Sequence, residues 1–369
     1  MASHFVACTM KNEGPYLLEW IAYHRSIGFD GFLICSNDCS DGTNLMLNRL
    51  DAMGIVIHMD NPQGPNMDPQ RSAYSKIRHH EAYKSAEWVL VIDADEFLNV
   101  KTGDHSVQAL IKACPDAGAI SPCWKMMGSA GEIEFAPERL VTERFTRGST
   151  NDTPENGLIW GFKTLLRPDK FDYLGVHRPR FHKSKPLPEE GHVRWYNGSG
   201  IDQGTRWYEN GWRCNAECYG YDLAQINHYA IKSREDFILK RLRGTANAGN
   251  NKGRINHEYW EKYDINATED ATIWTAGIRA ELDKLLSDPD LAALHRAALD
   301  SAHRTLAAQK ENEGVRHFIE TGELSQADRE EIEKQERRAR RKAQREKERE
   351  EKQKKRAKGE EARPEEKAA

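Results

Sequence analysis

The feature that most constrains this chain is the alternation, over its first 125 residues, of short apolar runs with amphipathic segments of helix length. Residues 4–9 make an apolar run fit for a buried strand. Residues 16–27 then place Leu17, Leu18, Ile21 and Ile27 on one helical face, with Gly28 set to stop the helix. A second strand is predicted at 32–35 and a polar loop at 36–42, after which Thr43 caps a helix marked by Leu45, Leu47, Leu50 and Met53. A third strand is predicted at 55–59, a Pro/Gly loop at 61–69, a helix at 70–86 and a fourth strand at 88–92. Strands separated by helices of this length imply right-handed β-α-β units and a parallel sheet. The expected class is therefore α/β, a mostly parallel sheet flanked by helices. Such sheets bind ligands beyond the carboxyl ends of their strands, and the polar clusters at 11–13, 37–41 and 93–96 all fall at those ends.

Asp93-Ala94-Asp95 follows the fourth strand directly. Two acids one residue apart at a sheet edge can bind a hard cation such as Mn2+ or Mg2+, and Mg2+ is commonly held by one or two carboxylates plus substrate phosphates. A metal held this way neutralises charge on a departing diphosphate. The same dipeptide spacing also serves as a polar strand end whose acids cap the next turn. Asn37-Asp38-Cys39-Ser40-Asp41-Gly42-Thr43 and Lys11-Asn12-Glu13-Gly14 likewise read either as ligand-facing loops or as Asx-rich turns.

Taken in order, Lys11-Asn12-Glu13, the 37–43 loop and Asp93-Ala94-Asp95-Glu96-Phe97 resemble family 2 glycosyltransferases of the GT-A fold. The nearest resemblance is to a bacterial subgroup in which Lys-Asn-Glu precedes a Glu-Trp helix, here Glu19-Trp20. The resemblance covers roughly residues 4 to 245. It implies a Rossmann-like sheet, with Asn12, Glu13 and Asp38 facing the nucleoside, Asp93 near the ribose or diphosphate, and Asp95 holding the metal. One departure concerns the base: Ser36 and Asn37 stand where the family's loop carries its two leading acids. Asn227-His228-Tyr229-Ala230-Ile231-Lys232-Ser233 is similar to a late His-Tyr motif of related transferases, which implies His228 at the metal and Lys232 at a phosphate. An imidazole can complete a Mn2+ shell and a lysine can meet phosphate as a point charge; a histidine beside an aromatic is equally a structural residue. His177 and Arg178, in Gly175-Val176-His177-Arg178-Pro179, recur in the subgroup and are weighted towards a structural role.

An inverting transfer needs a base within reach of the acceptor hydroxyl. Glu132, Glu134, Glu143, Asp152 and Asp202 lie in the plausible stretch, and no spacing selects one, so the catalytic base is unassigned. Cys35 with Cys39, and Cys214 with Cys218, share a four-residue spacing that suits buried thiols better than zinc. Trp195, Trp207, Tyr208 and Trp212, interleaved with Arg194, Arg206 and Arg213, serve either as a sugar platform or as core.

The chain divides by pattern into a nucleotide-sugar-binding half at 1–125, an acceptor-side half of the same catalytic domain at 126–245, a helical extension at 246–324, and a charged tail at 325–369. The tail, without apolar periodicity, is expected to be helical or disordered. It carries 17 Lys and Arg against 13 Asp and Glu, a net +4, which leaves −8 for the residues before it against −4 for the whole. That acidic balance argues against nucleic acid as a partner. No run is long and apolar enough for a membrane span, though peripheral association stays open. The first residues show no signal-peptide pattern and the seven cysteines are odd in number and scattered, so a cytoplasmic location is expected.

The expected function is metal-dependent transfer of a sugar from a nucleotide-sugar donor, expected to be UDP-linked, to a saccharide, glycolipid or other hydroxyl acceptor, with inversion implied by the resemblance. The alternative is a non-catalytic nucleotide-sugar or glycan-binding module with a charged tether. A haloacid-dehalogenase-type phosphatase is disfavoured by Phe97 at the motif's fifth position, and a nucleotidyltransferase by the want of an early Gly-rich phosphate loop.

Overall fold

The computed structural model describes residues 3–62, 64, 68–151, 160–243, 255–326 and 330. Residues Met1–Gln309 make one compact unit and Lys310–Ala369 another. The first half runs β1 (His4–Met10), α1 (Gly14–Ser26), β2 (Gly31–Ser36), α2 (Thr43–Ala52), β3 (Val56–Asp60), α3 (Pro69–His79), α4 (Glu81–Ser85) and β4 (Trp88–Val91). Then come β5 (Glu96–Val100), α5 (Val107–Ala113), β6 (Ala117–Ser121), β7 (Trp124–Met126), α6 (Val141–Arg144), β8 (Arg147–Gly148), β9 (Thr164–Leu166), β10 (Arg194–Asn197) and β11 (Ala224–His228). The helical remainder is α7 (Arg234–Arg243), α8 (His257–Tyr263), the short β12 (Thr268–Glu269), α9 (Ile278–Leu286), α10 (Pro289–Gln309) and α11 (Glu313–Thr321).

The central sheet has the order β10-β6-β9-β4-β1-β2-β3, in which β9 alone runs against its neighbours. The class is the expected one, α/β with a mostly parallel sheet flanked by helices. β9 and β10 come from the irregular second half and enter the same sheet as the first four strands. A second sheet, β5-β11-β7, sets His228 opposite Glu96 and beside Met126.

Register explains why the polar loops meet. Met10 pairs with Ser36 and Ser36 with Asp60, while Ile92 continues β4 by donating to Ala7 O at 3.3 Å. The chains leaving β1, β2 and β4 therefore emerge at one edge. On one side, α3 covers Phe5, Ala7, Leu33, Val89 and Val91 with Tyr74 and Ile77. Helix α1 is buried well beyond the single face its periodicity predicts, because it also packs against α9 and α10. Trp20 Nε1 and Tyr23 Oη donate to the carbonyls of Glu96 and Leu98 at 2.9 and 2.6 Å, which fixes β5 against α1. Gly28, at φ 97°, ends the helix region as expected, in a conformation open to glycine without steric cost.

Three local expectations change. Thr43 is the first residue of α2 and does not cap it; Gly42, at φ 91°, is the cap, and the Thr43 hydroxyl is spent on the neighbouring loop. Leu45 is exposed, while Met46, Leu47 and Leu50 carry the packing of α2. The segment 70–86 forms two helices, broken at His80, whose extended backbone and Nδ1 cap α4 by accepting from Ala82 N at 3.2 Å. In the second unit, Asn312 caps α11 by accepting from Val315 N at 3.1 Å, and Gly322 closes it at φ 79°. The expected tail at 325–369 lies almost wholly outside the described residues.

Candidate active site

The two loops after β1 and β2 are tied together by their own side chains. Asn12 takes a left-handed backbone, φ 53°, which Asn tolerates better than most residues. Its amide donates to Ser40 Oγ at 3.1 Å and its carbonyl accepts from Ser40 N at 2.7 Å. Glu13 N donates to Thr43 Oγ1 and Gly14 N to Asp41 Oδ2, both at 2.8 Å. Asp41 Oδ1 in turn accepts from Thr43 N and Oγ1. The Asx-turn reading thus accounts for Asp41 and Thr43, yet leaves Glu13 Oε2 and Asn37 Oδ1 buried without a partner among the described residues. Asp38, at φ 46°, is exposed and stands outside the cavity that Asn12, Glu13, Ser40 and Asp41 line.

The two acids after β4 face different partners. Asp93 Oδ2 accepts from Lys163 Nζ at 2.9 Å and Oδ1 from Gln70 Nε2 at 3.3 Å. Lys163 has no exposed surface; it also lies 3.4 Å from Glu96 Oε2 and donates to Val176 O at 3.2 Å. Burial pushes Glu96 up, and Lys163 only partly offsets it. Burial alone would lower Lys163, but Asp93 and Glu96 together raise it above the ordinary lysine range. Asp95 turns to the opposite side, where Oδ2 accepts from Lys240 Nζ at 2.6 Å and Oδ1 lies 3.6 Å from His228 Nε2. Burial opposes its charge, yet Lys240 and His228 hold the carboxyl well below the usual range.

These partners come from β11 and α7. Ser233 and Asp236 form a reciprocal capping box: Ser233 N donates to Asp236 Oδ2 and Asp236 N to Ser233 Oγ, both at 3.1 Å. The box starts α7 so that its last turn carries Lys240 and Arg243 back to the strand ends, where Arg243 pairs with Glu13. Lys232, at φ 61°, is buried with its ammonium 4.3 Å over the Tyr16 ring. Burial, with repulsion from Lys240, pushes it down to about 8. Together these groups surround a cavity of about 240 Å³ lined by Asn12, Glu13, Tyr16, Lys232, Lys240 and Arg243 among others. Of the expected site residues, Asn12, Glu13 and Lys232 meet there. Asp95 and His228 lie behind Lys240, and Asp93 is on the Lys163 side.

A divalent cation has a workable pair of ligands. Neighbouring ligands on an octahedral ion with bonds of about 2.1 Å stand about 3 Å apart, close to the 3.6 Å between Asp95 Oδ1 and His228 Nε2. Lys240 occupies the other carboxylate oxygen, and His228 is the protein partner of Oδ1. Among the described residues no three His, Cys, Asp or Glu side chains are grouped to hold a metal, so the remaining ligands would come from substrate and water.

Other sequence candidates resolve more simply. His177 stacks on Trp212 at 4.4 Å and burial pushes it down to about 3, while Arg178 donates to the carbonyls of Trp207 and Tyr208. Trp195, Trp207 and Tyr208 are core, packed with Cys123, Cys214 and Cys218. The seven cysteines are free thiols. Of the candidate bases, Glu132 pairs with Arg139, Glu143 with Arg279, and Asp202 accepts from Gly204 N; Glu134 is exposed, and Asp152 lies outside the described residues. None of the four described ones lines the cavity. Lys163, Lys240 and Arg243 were absent from the sequence expectations, and the only signal available for the last two was the Ser233-x-x-Asp236 box that launches their helix.

Comparison with known proteins gives a consistent class. The family model described as glycosyltransferase family 92 matches residues 5–199. A glycosyltransferase family 92 protein of Oryza sativa subsp. japonica is 29% identical over 172 residues, 46% of this chain and 27% of its own. One from Arabidopsis thaliana is 24% identical over 246 residues, 65% of this chain and 37% of its own. The chain thus spans 27% to 37% of the length of these two relatives. A crystal structure of S. aureus TarS 1-349 aligns over 71% of this chain and 70% of its own at 11% identity and a TM-score of 0.32, too loose a likeness to transfer any residue.

Proposed function

The chain belongs to glycosyltransferase family 92, and from that premise we propose that it moves a sugar from a UDP-linked donor to a hydroxyl of a saccharide acceptor, with inversion. The family is 92 where the motifs resembled family 2; the glycosyltransferase class is common to both. The observation that carries the donor assignment is the cavity at the ends of β1 and β2, where Lys232, Lys240 and Arg243 face polar loop groups. Three cations beside the unpartnered Glu13 Oε2 complement a nucleoside diphosphate, with charge at one end and hydrogen-bonding groups at the other.

In this reading Asp95 and His228 hold Mn2+ or Mg2+. The ion, when bound, supplies charge neutralisation for the departing diphosphate. Asn12 and Glu13 orient the nucleoside, Lys232 and Arg243 attract phosphate, and Lys163 holds Asp93 at the ribose side. Asp38, exposed and outside the cavity, takes no part in this reading. A second reading is favoured by one contact: Lys240, 2.6 Å from Asp95, already supplies a positive charge at the strand end, so it serves in place of a metal.

A thermal-shift screen of nucleotide-sugars with and without Mn2+ tests both. Stabilisation by a UDP-sugar that grows with Mn2+ is expected. Equal stabilisation without Mn2+ would favour the lysine reading, and no shift with any nucleotide-sugar would contradict the transferase site.

A further inference from the structure

A second pocket, of about 470 Å³, lies between α3 and the 173–183 loop. Its size falls within the range of small-molecule sites. Arg71, Arg78, Arg180 and Lys183 line it, and among the described residues no Asp or Glu does. Among the described residues none of these four cations forms an ion pair with a carboxylate. Arg78 is held instead by Asp172 O at 2.7 Å and by the Tyr173 ring at 4.8 Å. The nearby Asp172 carboxylate does not line the pocket and is engaged elsewhere, accepting from His182 N and Lys185 Nζ.

Uncompensated cations around a concave site attract an anion, and an aromatic wall suits a sugar face. One hydrogen-bonded chain links the pocket to the end of β4. Val176 lines the pocket, and its carbonyl accepts from the same Lys163 ammonium that holds Asp93.

We propose that this pocket binds a saccharide bearing an anionic group, a carboxylate or a phosphate, and that this is the acceptor of the transfer. The acceptor role rests on the transferase reading; anionic-sugar binding itself does not. Arg180 and Arg71, at the exposed rim, meet the charge first, and Arg78, braced by Asp172 O and Tyr173, sets its position.

The test is calorimetric titration of the full chain with glucuronic acid, glucose 1-phosphate and glucose, alongside UDP with Mn2+ as a separate readout. At least one anionic sugar is expected to bind, glucose to bind at least tenfold more weakly, and Arg180→Gln and Arg71→Gln each to weaken the anionic sugar severalfold with UDP affinity unchanged. The acid that binds identifies carboxylate or phosphate as the recognised group. Glucose binding as tightly as both acids, no binding of either acid, or insensitivity to both substitutions would overturn the proposal. UDP affinity falling in parallel would also overturn it, because the pocket would then belong to the donor site. Absence of UDP binding alongside intact anionic-sugar binding would count against the transferase reading only.

Discussion

Lys240 Nζ stands 2.6 Å from Asp95 Oδ2, so the last turn of α7 closes over the acid that follows the central strand. The two residues are 145 positions apart in sequence, and the contact exists because β11 returns to pair with β5 before α7 begins. It makes α7 a wall of the cavity that Asn12 and Glu13 also line.

Lys163 is expected to be a stability determinant as well as the support of Asp93. Removing one partner of a buried ion pair leaves uncompensated charge and costs about 3–5 kcal/mol. Lys163→Met should therefore lower stability by about 3 kcal/mol in urea unfolding, with Glu96→Gln in the same chain restoring part of the loss. A loss below about 1 kcal/mol would show that Lys163 is not a structural ion-pair partner.

Glu19 joins α1 to the second half of the chain. Its carboxylate accepts from Val141 N at 2.8 Å and from Thr142 N and Oγ1 at 3.0 and 3.1 Å, at the start of α6. Glu19→Ala strands two buried backbone donors, each worth about 1–3 kcal/mol when left unpaired, and removes the acceptor of the Thr142 hydroxyl. The expected result is a fall of about 2–4 kcal/mol in unfolding free energy, with Glu19→Gln milder. Equal stability of Glu19→Ala and the parent would refute this link.

His24 sets a pH dependence of stability. It is fully buried, its Nδ1 bonded to Trp20 O at 2.8 Å, and burial pushes it from 6.5 down to about 3. Between those values the unfolded chain binds the proton and the folded chain does not, so stability falls as pH falls. The slope from this one group reaches about 1.4 kcal/mol per pH unit. Denaturation curves taken from pH 7 to 4 should steepen in the parent relative to His24→Gln; parallel curves would remove His24 from the account.

Much of the first half is legible from pattern, because apolar runs of strand length and helices of period 3.6 alternate cleanly up to Asp93. The strand-end clusters follow from that order. Lys163 could not be found this way: a lysine beside a three-residue strand looks like a surface residue, and only the insertion of β9 between β4 and β6 buries it. Lys240 and Arg243 read as the solvated face of a basic helix until the return of α7 is known. Thr43 and Leu45 were misplaced for a local reason, since Gly42 supplies the left-handed turn and the helix then presents Leu45 outward.

The central claim is that Asp95 anchors a cation-assisted donor site, and titration of UDP into the parent chain and Asp95→Ala, with and without Mn2+, tests it most directly. The account predicts that Mn2+ tightens UDP binding at least tenfold in the parent and has no effect in the variant. Unchanged Mn2+-dependent affinity in Asp95→Ala would contradict it.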